Sequence, residues 1–392
     1  MVAMGPSGSD IFISAGETSG DMHAARMLTR LKSLEPGFSF SGIGGEAMSR
    51  AGVRLLAGLD RLAVMGLVEV VRHLGFFRRL LGEIEAHLHQ ARPRLVVLVD
   101  FPDFNFRIAR IAKRAGIPVL YYISPQIWAW RTGRRRTLAH LADRLAVVFP
   151  FEVEFYRDQP LEVEFVGHPL IETLDEITPR AEFLRRYGLD ETRPLVGLMP
   201  GSRGQEIRRH LGVFLQAAAL MIEQQPGLQF ATAFLPHTEE ALSRSHRKAL
   251  SDLGVACVRG DSRALVAHSR LLITKSGTTT MEAALCGTPM VIGYRTSAIS
   301  YWLARRLVRV EHIGMPNILL PPARIPELIQ DGLTPRALAR TAIELLDESS
   351  PSRQRIIEQC RGVRELLATG KPASLRVAEM ALEMCRSAGG RG

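Results

Sequence analysis

The sequence predicts an α/β protein built from two doubly wound parallel sheets and closed by a helical tail. Three observations carry that reading. Short apolar runs rich in β-branched residues alternate with stretches of helical periodicity. The alternation occurs twice, on either side of a charged, Pro-marked break at 167–192. Glycine- and hydroxyl-rich turns stand where strand gives way to helix in both halves.

Taken in order, 11–15, 95–99, 119–123 and 145–148 read as buried strands, with helical spacing over 21–34 and 106–115. A second series follows at 195–198, 230–234, 255–258, 271–274 and 290–292, and from Pro335 the pattern is helical in three amphipathic pieces. The expected domains are therefore 1–170, 171–334 and 335–392. In such sheets ligands bind beyond the carboxyl ends of the strands, and two of them facing one another leave a cleft.

Composition narrows the class. With 46% hydrophobic and 23% charged residues the chain is globular rather than disordered. The net charge is +10, and only five of its 50 basic residues are lysines. Such an excess of arginine favours an anionic partner, whether nucleotide, phospholipid surface or nucleic acid. The four cysteines are far apart, so neither a disulfide framework nor a zinc site follows. The first ten residues lack the features of a secretory leader, and no run of about 20 residues escapes charge. The expectation is a cytoplasmic protein that does not cross a membrane.

Several turns carry chemistry. AGETSGD at 15–21 runs from strand into helix, with Ser19 or Asp21 as a helix cap and Glu17 at the rim of the expected cleft. It is not the G-x-G-x-x-G of dinucleotide binders. DFPDFN at 100–105 follows the next strand, and Asp103 is expected there either as a partly desolvated general base or as the cap of a helix beginning near Asn105. YYISPQIWAWR at 121–131 sets Trp128 and Trp130 beside Arg131 and the run Arg134–Arg136, which suits sugar, acyl-chain or phosphate contact as well as core packing. PGSRGQE at 200–206 places Gly201, Ser202 and Arg203 in a compact anion-binding turn, without the G-K-[ST] of a P-loop. A second such turn holds Ser276, Gly277, Thr278, Thr279 and Thr280, with Glu282 one turn into the helix and suited to ribose hydroxyls. Two phosphate-type turns in one domain favour a nucleotide-sugar diphosphate. Finally, 62–81 puts Val64, Met65, Leu67, Val68, Val71, Leu74 and Phe77 on a broad apolar face flanked by Arg72, Arg78 and Arg79. That describes either a helix lying on an anionic bilayer or a core helix.

These segments together resemble the lipid-A-disaccharide synthase family nearly end to end. The resemblance rests on AGETSGD, LAVMGLVEVV at 62–71, DFPDFN, YYISPQIWAWR, FVGHPL at 165–170, PGSRGQE, SGTTTMEAAL at 276–285, PMVIGYR at 289–295 and PNIL at 316–319. The chain departs from the family at 320–325, where Pro321-Pro322 replaces a more polar loop. The resemblance implies a GT-B fold, two facing Rossmann-like domains with a helical C-terminus. It implies transfer of 2,3-diacylglucosamine from UDP to 2,3-diacylglucosamine 1-phosphate with inversion, without metal or other cofactor. It further implies Asp103 as base with Glu17 assisting, Arg203 and the 276–280 turn on the diphosphate, Glu282 on the ribose and Asn317 on the donor. The 62–81 helix, Trp128, Trp130 and Arg131 would meet acyl chains or an anionic membrane surface. The partners are then the two acylated substrates and the inner face of the inner membrane, with a homo-oligomer left open and nucleic acid excluded. A UDP-N-acetylglucosamine 2-epimerase would share the second domain without needing the broad apolar helix.

Overall fold

The computed structural model describes residues 9–59, 74–130, 132–234, 236–298, 301–302, 306 and 310–389. The chain divides into two units, one of residues 1–169 with 367–392 and one of 170–366.

Unit 1 is built on seven parallel strands: β1 (Ile11–Ala15), β2 (Phe40–Gly44), β3 (Val53–Gly58), β4 (Leu95–Val99), β5 (Val119–Tyr122), β6 (Arg144–Val147) and β7 (Glu162–Phe165). Their order is β3-β2-β1-β4-β5-β6-β7, so the winding reverses between β1 and β4. The five residues of β4, LVVLV, are all buried, as a strand covered on both faces requires. The helices are α1 (Thr18–Leu34), α2 (Glu46–Arg50), α3 (Leu74–Ala91), α4 (Pro102–Arg114), α5 (Ile127–Trp130), α6 (Arg134–Leu141) and α7 (Phe151–Phe155).

Unit 2 repeats the plan with α8 (Arg180–Arg186), β8 (Leu195–Met199), α9 (Gly204–Gln224), β9 (Gln229–Ala233), α10 (Arg244–Asp252) and β10 (Ala256–Val258). It continues through α11 (Ser262–His268), β11 (Leu271–Thr274), α12 (Thr278–Cys286), β12 (Met290–Tyr294), α13 (Met315–Leu319) and β13 (Glu327–Ile329). The strand order is β10-β9-β8-β11-β12-β13, reversing between β8 and β11.

The helical tail is not a body of its own. α14 (Pro335–Leu346) packs on α9, and α15 (Pro351–Leu367) completes unit 2. α16 (Ala373–Gly389) returns to unit 1 and lies against α1. Charge holds it there: Arg144 reaches Glu383 at 2.6 Å and Glu162 at 2.6 Å, while Arg376 on α16 pairs with Glu164 of β7. Arg144 is a structural tie, its side chain only 12% exposed.

The segment expected at a bilayer is divided. Residues 60–73, which include Val64, Met65, Leu67, Val68 and Val71, lie outside the described residues. Leu74 begins α3, and Phe77 on that helix is a core residue rather than a lipid-facing one. Its ring is 8% exposed and packs edge-on against Phe104 at 5.7 Å. Arg78 and Arg79 are exposed on the opposite side. Among the described residues no helix is long and apolar enough to cross a membrane. Phe77→Ala is expected to cost about 3–5 kcal/mol in urea unfolding, the range for truncating a buried phenylalanine. Arg79→Ala should change stability by less than about 0.5 kcal/mol.

Candidate active site

In unit 1 the chemistry gathers where the winding reverses. Ala15 and Val99 are register partners at the ends of β1 and β4, so the residues that follow them leave the sheet side by side. Glu17 leaves from β1 as the N-cap of α1, and it is exposed. Asp100 leaves from β4 and is half-buried. Burial first, and then the negative charge of Glu17, push the Asp100 carboxyl up to about 6, although a hydrogen bond from the Phe101 amide opposes the rise.

The backbone there is strained and firmly held. Asp100 and Phe101 both take left-handed conformations, with φ of 46° and 48°. The Asp100 carbonyl accepts from Asn105 Nδ2 at 2.7 Å and from the Tyr121 hydroxyl at 2.6 Å. Asn105 is fully buried and also accepts from Ser14 at 2.7 Å. The Phe101 ring lies against Gly16, where a Cβ would come within 2.2 Å of it, so the AGETSGD turn needs glycine at that point.

Two expectations for this unit are corrected. Asp103 is not desolvated: it sits in the first turn of α4 with its side chain 75% exposed and paired to Arg134 at 2.7 Å. Asp21 does not cap its own helix. It is buried and accepts from the amides of Gly45, Ala47 and Met48, capping α2. Trp128 is half-buried against Phe151 at 5.0 Å, Trp130 is 46% exposed, and Arg131 lies outside the described residues.

In unit 2 the corresponding reversal brings both anion-type turns together. Met199 and Thr274 are register partners, and the Lys275 amide donates to the Met199 carbonyl at 3.0 Å. Gly201, Ser202 and Arg203 lead into α9, and Ser202 and Arg203 are exposed. The helix α12 starts at Thr278, which is exposed beside half-buried Thr279. Ser276 and Thr280 spend their hydroxyls internally, on the Ile313 carbonyl at 2.6 Å and the Gly277 carbonyl at 2.7 Å. Glu282 lies 3.9 Å from Arg263, and burial raises its carboxyl against the pull of that arginine.

Asn317, expected to touch the donor, is 2% exposed and saturated within the fold. Its Nδ2 donates to Ile325 and Glu327, and its Oδ1 accepts from the amides of Arg324 and Ile325. Glu327, which the sequence did not single out, also accepts from the amides of Ile313 and Gly314. Gln359 donates to the Leu320 carbonyl at 2.8 Å and so fixes the Pro321-Pro322 loop. Among the described residues no group of three or more His, Cys, Asp or Glu is placed to hold a metal ion.

Comparison with known proteins decides between the readings that share this architecture. The model of the lipid-A-disaccharide synthetase family matches residues 11–383. The chain belongs to the lipid-A-disaccharide synthase family. Lipid-A-disaccharide synthase of Geobacter metallireducens is 42% identical over 374 residues, covering 95% of this chain and 97% of the relative. That of Syntrophus aciditrophicus is 40% identical over 378 residues, covering 96% and 98%. Solved structures share the fold at much lower identity. The UDP-GlcNAc 2-epimerase from Neisseria meningitidis bound to UDP-GlcNAc superposes with a TM-score of 0.66 at 12% identity, covering 95% of this chain and 99% of that one. The glycotransferase of kitacinnamycin gives 0.63 at 14%, covering 97% and 100%. Both units are thus the Rossmann-like sheets of the GT-B fold, here in a lipid-A-disaccharide synthase family member.

The raised Asp100 carboxyl gives a direct test. Its side-chain carbon should titrate by NMR with a midpoint near 6. In Glu17→Gln, which removes the neighbouring charge, the midpoint should move down toward the ordinary aspartate range but not reach it, because burial remains. An unchanged midpoint would mean that the two carboxyls do not interact.

Proposed function

We propose that this chain transfers 2,3-diacylglucosamine from UDP-2,3-diacylglucosamine to 2,3-diacylglucosamine 1-phosphate. The products are the β(1→6)-linked disaccharide 1-phosphate and UDP. The observation that carries the mechanism is the half-buried Asp100 carboxyl, raised to about 6 at the carboxyl end of β4. A general base works best when its pKa lies near the operating pH, and this one stays ionised at neutral pH while binding a proton more strongly than an exposed aspartate.

In this reading the acceptor 6-hydroxyl oxygen attacks the donor anomeric carbon from the face opposite the diphosphate. Its proton passes to an Asp100 oxygen, and the bond to the diphosphate breaks with its electron pair. One displacement inverts the anomeric centre. Glu17 accepts a hydrogen bond from the acceptor and keeps Asp100 basic. In unit 2, the Arg203 guanidinium and the N-terminus of α12 with Thr278 and Thr279 meet the charge that grows on the departing diphosphate. Glu282 takes the ribose hydroxyls. Protein charges fill the role that a metal plays elsewhere, so EDTA should leave turnover intact.

The acylated substrates also require an apolar contact. We assign it to the segment at 62–73, whose sequence pairs apolar residues with Arg72, and to exposed Trp130, and we read the protein as peripheral on the cytoplasmic side of the inner membrane.

The test is to incubate the protein with both acylated substrates and follow UDP and the disaccharide. Asp100→Asn should lower kcat by about a hundredfold or more, while Asp103→Asn should stay within about threefold of the parent. The reverse pattern would return the base to Asp103. In the parent, kcat/KM should rise as pH increases through about 6, because the ionised form is the active one. Arg203→Ala should weaken UDP binding and turnover together, since the guanidinium meets the diphosphate before and during bond breaking.

A further inference from the structure

Two amides of the PGSRGQE turn are already occupied. Glu206 Oε2 accepts from the Ser202 amide at 3.0 Å and the Arg203 amide at 3.3 Å. This is the reciprocal half of a helix cap, with a third-position glutamate reaching back to the start of α9. The other oxygen of the same carboxylate, Oε1, accepts from Lys275 Nζ at 2.9 Å. Lys275 belongs to the second turn and folds back over it, since a Cβ on Gly277 would stand only 3.0 Å from Nζ. The two side chains are 19% and 20% exposed. A carboxylate thus occupies the first anion-binding turn, and the one lysine of unit 2's two turns bridges from it to the N-terminus of α12.

We infer that Lys275 is a further diphosphate-binding residue, and that Glu206 is the internal anion that holds its ammonium in place until the donor arrives. The inference rests on the reading of unit 2 as a UDP-sugar site. An ammonium has three donors, and the bond to Glu206 uses one of them. A diphosphate at the start of α12 carries more charge than a carboxylate and competes for the same cation. Besides the lysine, the amides of Ser202 and Arg203 and the positive end of α9 also stabilise the Glu206 carboxylate. A lysine suits this exchange better than an arginine would, being a compact charge on a flexible stem without a fixed fork geometry. The arrangement keeps Lys275 from pointing into solvent in the empty protein. It also sets UDP affinity through competition, so that product release is not slowed by an unopposed cation.

The experiment is calorimetric titration of the full-length chain with UDP and with UMP, which lacks the second phosphate. Lys275→Met should weaken UDP about tenfold and UMP less, so that the preference for UDP shrinks. Lys275→Arg, which keeps the charge, should stay within about threefold of the parent. Glu206→Gln still offers an oxygen to the two amides but removes the competing charge, and it should tighten UDP severalfold. That variant tests the inference alone should Lys275→Met fail to fold. Unchanged UDP affinity in Lys275→Met would overturn the inference. So would weakening of UDP in Glu206→Gln, which would make the pair a structural tie between the turns. A parent chain that does not bind UDP would instead overturn the reading of unit 2 itself.

Discussion

In each unit the candidate residues depend on where the parallel sheet reverses its winding. Strands β1 and β4 in unit 1, and β8 and β11 in unit 2, are neighbours whose connections leave in opposite directions. The loops beyond their carboxyl ends diverge, which leaves room there for polar residues. Glu17 and Asp100 use one such opening, and Ser202, Arg203 and the 276–280 turn use the other. The register pairs Ala15 with Val99 and Met199 with Thr274, which brings together residues tens of positions apart in the sequence.

That constraint explains what could be read from sequence. Strands such as 95–99 and 271–274 were legible to the residue, because apolar runs buried on both faces leave little choice of boundary. The turns were legible as places for chemistry. Where each side chain points was not, because that depends on conformation. The spacing suggests a helix from near Asn105, yet α4 starts at Pro102, after two left-handed residues. The proline was the available signal, since its fixed φ suits a first helical position. The early start turns Asp103 outward to Arg134 and leaves Asp100 inside. The burial of Asn317 and Phe77 was not legible for a different reason. Their burial is decided by partners distant in sequence, Gln359 for the one and Phe104 for the other.

The arginine-rich composition also takes on a more exact meaning. Part of the positive charge is engaged by groups of the fold itself. Arg144 and Arg376 serve glutamates, Arg353 donates to the carbonyls of Arg270 and Leu345, and Arg193 donates to those of Gly227 and Leu228. Helix ends and loop carbonyls bind the guanidinium well because its donors diverge in a fixed plane. A net charge of +10 therefore does not amount to one anion-binding surface. Near the starts of α9 and α12, the Lys275 ammonium is balanced locally by Glu206.

The return of α16 to unit 1 bears on how the chain is made. Unit 2 is one uninterrupted stretch, whereas unit 1 is assembled from both ends of the chain. During synthesis the second unit has its whole sequence available while the first still lacks the helix that covers α1. Buried α16 residues such as Val377, Ala381 and Met384 supply that cover last. Unit 1 therefore waits with an apolar flank uncovered while about 200 further residues are added at about 5–20 residues per second, so this flank is open for some tens of seconds. The unit that carries Asp100 begins to fold first and is completed last.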